Sequence, residues 1–429
     1  MNLANGRQLD EQGKRAALDD LEQQILRTLA KERLNPQIVM DACAVLADTI
    51  DVQEQIPFLL SLGFDRKTAE NYIIQMKHML SRECLNEKLK TELGEYYGQR
   101  RQYTPFYSDE QVCEQIMPLG VLLHIAAGNA DGLPVYSVIE GLLVGNINIL
   151  KLPQGGDPVS SKILLELLNI QPALADYIYV FDYSSKELEI MKKMVDFADA
   201  VVVWGGDLAV SAVRKLAKSD TKIIEWGHKI SFAYVTEGGM REENLAGLAR
   251  HICQTNQLLC SSCQGVFLDT DSMDTVYRFC ERFLHILDKA SREIPFSIDV
   301  GMQAQITLQL YNESLDSLYR EKKIFRQGDC SILAWNDHIL EPGILFRNCW
   351  AKPLPRHELL HTLRPYKNHL QTVGLLCAEE ERAELFDLFC KTGIVRITRG
   401  ENMSSVYCGL PHDGEYSLRR YTKIVSNDL

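Results

Sequence analysis

The sequence predicts an α/β fold with a doubly wound parallel sheet, a second and smaller α/β domain, and a helical N-terminal region. Between Leu119 and Glu225, five short β-rich runs alternate with segments of helical length and period. A further strand–helix–strand pattern begins at Ile230, and the first hundred residues carry apolar side chains at helical spacing. Alternation of this kind builds a mainly parallel sheet whose ligands bind outside the carboxyl ends of its strands.

Leu18, Leu21, Ile25 and Leu29 recur every three or four residues, and helical patterns continue through Ile73 to Leu80. Pro57 and Gly63 punctuate that region, and the polar, aromatic stretch Tyr96 to Tyr107 has no period and reads as a connection. The β-rich runs then follow at Leu119–Ala126, Asn146–Lys151, Tyr177–Phe181, Asp199–Trp204 and Thr221–Glu225. Beyond Ile230 come a strand through Ala233, a helix from Glu242 to Gln257, a loop with Cys260, and a strand from Gln264 to Leu268. The expected division is 1–105 helical region packed with the doubly wound domain, 106–228 doubly wound domain, 229–404 second α/β domain with Cys260, and 405–429 a C-terminal return segment.

At 429 residues and 46% hydrophobic, the chain is long enough for two buried cores. A formal net charge of -12 argues against a nucleic-acid-binding surface, which needs a basic patch. Twelve cysteines without framework spacing, and a polar start with no signal-peptide core, are expected of a reducing cytosol with mostly free thiols. The apolar stretch Pro118 to Leu150 is interrupted by His124, Asn129, Asp131, Pro134 and Glu140, so it reads as buried strand, helix and strand, not as a membrane span.

Three residues suggest thioester chemistry. Cys260 supplies a thiol, which attacks acyl groups as thiolate and so needs a lowered pKa or a base. Glu225 is a candidate base, and Asn129, after a glycine, is a neutral amide suited to a developing oxyanion. Asn129, Lys151, Gly205 and Glu225 all fall at or just after expected strand ends, and Cys260 opens the second domain, a placement suited to a bisubstrate cleft. Other patterns are weaker. Cys260 and Cys263 spell C-x-x-C without a second pair, so a redox pair or half a zinc site is the alternative to innocent neighbours. His357 to His361 fits H-E-x-x-H, yet Pro355 and Pro365 leave about two turns of helix and no distal ligand, so no metal is expected there. His412-Asp413-Gly414 reads as a turn.

Taken in order, the motifs resemble the aldehyde dehydrogenase superfamily, and within it the LuxC-like fatty acyl-CoA reductases. The resemblance covers roughly residue 115 to the end. It rests on Pro118 to Asn129, Gly141 to Lys151, Val202 to Gly206, the Glu225 and Cys260 segments, Leu363 to Tyr366, Leu370 to Leu375, and Pro411 to Tyr416. It implies Cys260 as nucleophile, Asn129 with the Cys260 backbone N–H as oxyanion donors, and Glu225 as acid/base residue. It also implies a cofactor site of Lys151, Gln154, Trp204, Gly205 and Gly206, with Lys151 on the adenosine ribose and the glycine turn beside the diphosphate. Many aldehyde dehydrogenases carry Lys-Pro-Ser-Glu where this chain has Lys151-Leu152-Pro153-Gln154; losing a carboxylate that would repel a 2′-phosphate favours NADPH over NADH. Cys263 stands where the reductases often have proline, and Leu363-Arg364-Pro365 lacks the glutamate that usually holds the nicotinamide ribose.

The resemblance implies an NADPH-dependent acyl-CoA or acyl-protein thioester reductase that forms an acyl-Cys260 thioester and releases a fatty aldehyde. A short-chain CoA-acylating aldehyde dehydrogenase is the nearest alternative, and an acyl-carrying partner protein without hydride transfer is another. An acyl-protein synthetase partner, a homo-oligomer and a cytoplasmic location are carried over in the same way.

Overall fold

The computed structural model describes residues 2–95, 97–126, 133–153, 158–316 and 322–428. It opens on a β-hairpin, β1 (Asn2–Ala4) and β2 (Arg7–Leu9), where the sequence predicts only helices. Its turn is Asn5-Gly6, both left-handed at φ 51° and 71°, the backbone that a two-residue hairpin demands. Strands of three residues are too short to show an alternating pattern, which is why periodicity misses them.

Helices α1 (Glu11–Leu29), α2 (Pro36–Thr49), α3 (Val52–Ser61), α4 (Arg66–Met79) and α5 (Arg82–Leu93) follow. Asp10, Asn35, Asp51 and Ser81 start four of them, each side chain accepting a hydrogen bond from a first-turn backbone N–H. Strand β3 (Arg101–Tyr103) lies in the stretch expected to be a plain connection, and β4 (Val112–Pro118) pairs with it. The alternating series is then β5 (Val121–Ile125), α6 (Leu133–Leu143), β6 (Ile147–Lys151), α7 (Pro158–Ile170), β7 (Ile178–Phe181), α8 (Leu188–Phe197), β8 (Ala200–Trp204), α9 (Asp207–Leu216) and β9 (Lys222–Trp226).

The chain folds as two compact units, the first being Met1–Ile50, Gln75–Gly227 and Tyr407–Leu429. Its seven-stranded sheet runs β2-β1-β7-β6-β5-β8-β9, with β5 to β9 parallel. Strands β5 to β8 are buried along their whole length, as strands covered by helices on both faces must be. The winding reverses between β5 and β8, so the crevice outside their carboxyl ends is the position where such sheets take ligands.

Unit 2 comprises Asp51–Ile74 and His228–Val406. After Asp51–Ile74 the chain re-enters it through β10 (Ile230–Val235), α10 (Glu242–Thr255), β11 (Cys263–Leu268), α11 (Met273–Glu293) and α12 (Val300–Asp316). It continues through β12 (Lys322–Gln327), β13 (Cys330–Trp335), β14 (Asn348–Pro353), α13 (Leu359–Leu363), β15 (Leu370–Leu376), α14 (Arg382–Thr392) and β16 (Arg396–Thr398). The sheet order is β12-β13-β14-β11-β10-β15-β16, antiparallel only between β12 and β13. Successive residues of β10 face opposite cores: Ala233 and Val235 share one with Leu248 of α10 and Phe283 of α11, whereas Phe232 and Tyr234 pack against Phe389 of α14. Gly265 of β11 carries no side chain because the Trp350 ring fills that space, 2.0 Å from where a Cβ would stand. Although 1–105 reads as one helical region packed with the cofactor domain, Asp51–Ile74 belongs to unit 2. There the Gly63 carbonyl accepts from Asn256 Nδ2 at 3.0 Å.

The return segment, α15 (Ser417–Arg420) and β17 (Thr422–Asn427), brings the chain back to unit 1, where β17 pairs with β4. Buried Lys88 ion-pairs with Glu92 and with Glu140 (2.9 Å), and the Ser417 hydroxyl donates to Glu140 at 2.7 Å. Burial opposes the Lys88 charge, but Glu140 and Glu92 outweigh it and hold its pKa above the ordinary lysine range. Ten cysteines are free, whereas Cys84 and Cys408 form a disulfide that ties α5 to this segment. That pair qualifies the expectation of free thiols; a separation of 324 residues leaves no spacing signal for it.

Candidate active site

Cys260 sits in the loop between α10 and β11, at the amino edge of the unit 2 sheet, and its side chain is exposed. α10 ends where Asn256 and Gln257 turn left-handed, at φ 46° and 63°. A second left-handed run, Leu345, Phe346 and Arg347, docks against it: Phe346 N–H donates to the Asn256 carbonyl (3.1 Å) and Arg347 N–H to Gln257 Oε1 (2.9 Å). The Gln257 amide also donates to the Cys263 carbonyl at 3.0 Å, so one buried side chain spans both ends of the Cys260 loop.

The loop is held from below by two strands. Ser231 of β10, fully buried, donates its hydroxyl to the Cys260 carbonyl at 2.7 Å and accepts from Thr372 N–H at 3.0 Å. Gln371 of β15 donates from Nε2 to the Cys260 sulfur at 3.2 Å. Neither residue was singled out from the sequence as a site residue, though Gln371 lies in the Leu370 to Leu375 motif; an uncharged side chain in an apolar strand carries no chemical flag of its own.

Cys263, three residues on, is fully buried, its thiol directed at the Gly265 carbonyl (3.2 Å), and burial pushes that thiol up to about 12. The C-x-x-C pattern thus joins one exposed thiol to one interior thiol. The H-E-x-x-H stretch divides between a 3-10 turn, Arg356–Glu358, and the five-residue α13, with both histidines exposed.

In unit 1, Glu225 lies within β9, opposite Val203 of β8, and is part-exposed. Its carboxylate forms an ion pair with Arg214 of α9. Trp204 ends β8 with its indole turned inward: Nε1 donates to Ser137 Oγ at 3.1 Å and the ring stacks on Trp226 at 5.6 Å. His412 closes a backbone turn with Glu415 and packs edge-on against both indoles, at 5.2 and 4.9 Å. Gly205 follows, its N–H on the Trp226 carbonyl at 3.2 Å, and Gly206 starts α9 without a side-chain cap. Glu225, Trp204 and Gly205 are therefore brought together on neighbouring strands.

Lys151 is the last residue of β6, two strands from β8, about 10 Å at ordinary strand spacing. It is 4% exposed, and its ammonium has no hydrogen-bond or ion-pair partner among the described residues. Burial lowers its pKa from the usual lysine value. A buried cation without a counter-charge at the carboxyl end of a doubly wound sheet is an environment that a phosphate or ribose oxygen would complete. The residues present therefore fit a dinucleotide. Asn129 and Gln154 lie outside the described residues.

The sequence profile described as Acyl-CoA reductase (LuxC) matches residues 38–424. The long-chain acyl-protein thioester reductase of Vibrio harveyi is 22% identical over 382 residues, covering 86% of this chain and 76% of its own length. That of Aliivibrio fischeri is 24% identical over 326 residues, covering 72% of this chain and 64% of its own. The chain thus spans between about two thirds and three quarters of these relatives. Methylmalonate-semialdehyde dehydrogenase from Oceanimonas doudoroffii superposes with a TM-score of 0.77 at 12% identity, over 99% of this chain and 97% of its own. Aldehyde dehydrogenase 21 from Physcomitrella patens does so at 0.72 and 11% identity, over 100% and 94%. At such identities the likeness shows the fold, which is that of the aldehyde dehydrogenases.

Proposed function

Because the chain belongs to the acyl-CoA reductase (LuxC) family, we propose that it reduces a fatty acyl thioester to the aldehyde through an acyl group carried on Cys260. The observation that carries the reading is the exposed Cys260 thiol with an amide N–H directed at its sulfur. The thiolate attacks the thioester carbonyl, a new carbon–sulfur bond forms, and the donor thiol leaves with a proton. Reduced nicotinamide, when bound, supplies the hydride that this acyl group needs. The resulting thiohemiacetal gives up its hydroxyl proton and expels Cys260 as thiolate, releasing the aldehyde.

In this reading Glu225 takes and returns that proton, which requires its ion pair with Arg214 to open. Asn129 and the Cys260 backbone N–H hold the oxyanion. Lys151 meets the adenosine ribose and, with Gln154 in place of an acidic residue, tolerates a 2′-phosphate, so NADPH is the proposed reductant. Gly205 and Gly206 let the diphosphate approach α9 closely, with Trp204 supporting the turn. The acyl donor is acyl-CoA or an acyl-protein supplied by a synthetase partner, and the enzyme acts as a homo-oligomer in the cytoplasm. No helix among the described residues is long and apolar enough to cross a membrane.

The test is covalent labelling. The parent protein incubated with a long-chain acyl-CoA and no NADPH should gain one acyl mass, and Cys260→Ala should gain none. Labelling of the variant at unchanged stoichiometry would remove Cys260 from its role. Loss of NADPH absorbance on adding acyl-CoA to the parent then separates a reductase from a mere acyl carrier.

A further inference from the structure

We propose that Gln371 sets the reactivity of Cys260, its side-chain amide donating a hydrogen bond that favours the thiolate over the thiol. The inference rests on the reading of Cys260 as the acyl-accepting thiol. The contact is direct, Nε2 to Sγ at 3.2 Å, and the Gln371 side chain is held in place, with 7% of the residue exposed.

Strand register supports the contact independently. Ile230 of β10 faces Leu370 of β15, and Phe232 faces Val373, so three steps of β15 span two of β10. The same irregularity occurs on the other flank, where Ser231 faces Cys263 and Ala233 faces Val266. A bulge adds a residue and re-aims its side chain, and here it falls at Gln371 and Thr372. Thr372 N–H binds the Ser231 hydroxyl, and that hydroxyl binds the Cys260 carbonyl. The sulfur and the carbonyl of one residue are thus both fixed through consecutive positions of the bulged strand.

The choice of an amide has a chemical consequence. An N–H donor binds anionic sulfur more strongly than a neutral thiol, so it lowers the thiol pKa. Unlike imidazole, an amide takes no proton near neutral pH, so Gln371 adds no base that could activate water against the acyl group. As the thiolate attacks, charge moves to the carbonyl oxygen and the sulfur releases its hold on the amide. When the thiohemiacetal collapses, the same N–H receives the returning thiolate and favours its departure.

Iodoacetamide alkylation of Cys260 across pH, followed by peptide mass spectrometry in a Cys390→Ser background, tests this, Cys390 being the other exposed free thiol. Gln371→Met keeps the length and drops the donor, and should slow alkylation about tenfold near neutral pH, as expected for a pKa rise of about one unit. Gln371→Glu should slow it further, and both variants should converge with the parent at alkaline pH, where the thiol is ionised in all three. A change of access alone would alter the rate equally at every pH. If the midpoint stays unchanged in variants that retain the parent circular dichroism spectrum, the proposal fails. Alkylation needs no acyl substrate, so it stands apart from the Cys260→Ala labelling result.

Discussion

Lys151, at the carboxyl end of β6, keeps an ammonium inside the protein. Its stem is packed in the interior and its ammonium lacks a partner among the described residues, so the charge is retained at a desolvation cost that lowers the pKa. In the proposed site that cost is offset when the ribose or 2′-phosphate binds. Lys151→Met should raise the KM for NADPH by about tenfold or more, the worth of one charge-assisted hydrogen bond, with little change in kcat. Because the amine loses its proton below the ordinary lysine value, the parent KM should climb on the alkaline side while that of the variant stays flat. Initial-rate measurements across pH give both. Glu225 differs in kind: its partner Arg214 is an exposed side chain on the preceding helix, α9, and a pair with an exposed partner of this sort contributes about 0–1 kcal/mol, a tether that opens at little cost.

Among the elements, the loop between α10 and β11 carries the proposed nucleophile and the most unusual backbone. Asn256 and Gln257 on one side and Leu345, Phe346 and Arg347 on the other are all left-handed without being glycine, and each costs about 1–2 kcal/mol relative to ordinary backbone. Mutual hydrogen bonding holds the two runs together, and Gln257 is their common strut, accepting from Arg347 N–H and donating to the Cys263 carbonyl. Gln257→Ala would remove a side-chain partner from each of two buried backbone groups, so chemical denaturation should show a loss of about 2–4 kcal/mol. The alkylation rate of Cys260 should also change in that variant, since its loop is no longer tied at both ends.

Across the whole molecule, each unit contains one buried neutral histidine. In unit 1, His124 donates from Nε2 to Asn148 Oδ1 at 3.0 Å and accepts from Ser137 Oγ at 2.8 Å; in unit 2, His251 Nε2 accepts from Cys263 N–H at 3.4 Å. Burial lowers both to about 4, with Arg396 adding to the shift at His251. Above the ordinary histidine value neither the folded nor the unfolded chain is protonated at these positions, and stability is unaffected. As pH falls from about 6.5 to about 4, the unfolded chain takes up the proton first, and each histidine removes about 3 kcal/mol. Urea unfolding at neutral and acidic pH should therefore show His124→Gln and His251→Gln losing about 3 kcal/mol less than the parent over that range.

Composition and period alone determined the alternating parallel sheet. A strand covered on both faces is apolar throughout, and Leu119–Ala126, Asn146–Lys151, Tyr177–Phe181 and Asp199–Trp204 each enclose an observed strand. The place of Cys260 between a helix and a strand was legible too, because periodic segments flank it on both sides. Tertiary structure decided the rest: the docking of Gly63 against Asn256, the pairing of Cys84 with Cys408, the inward turn of Trp204, and the meeting of Gln371 with Cys260 across 111 residues. These contacts depend on which strands become neighbours and where a bulge falls. Periodicity reports only which face of a segment is apolar, and so does not encode them.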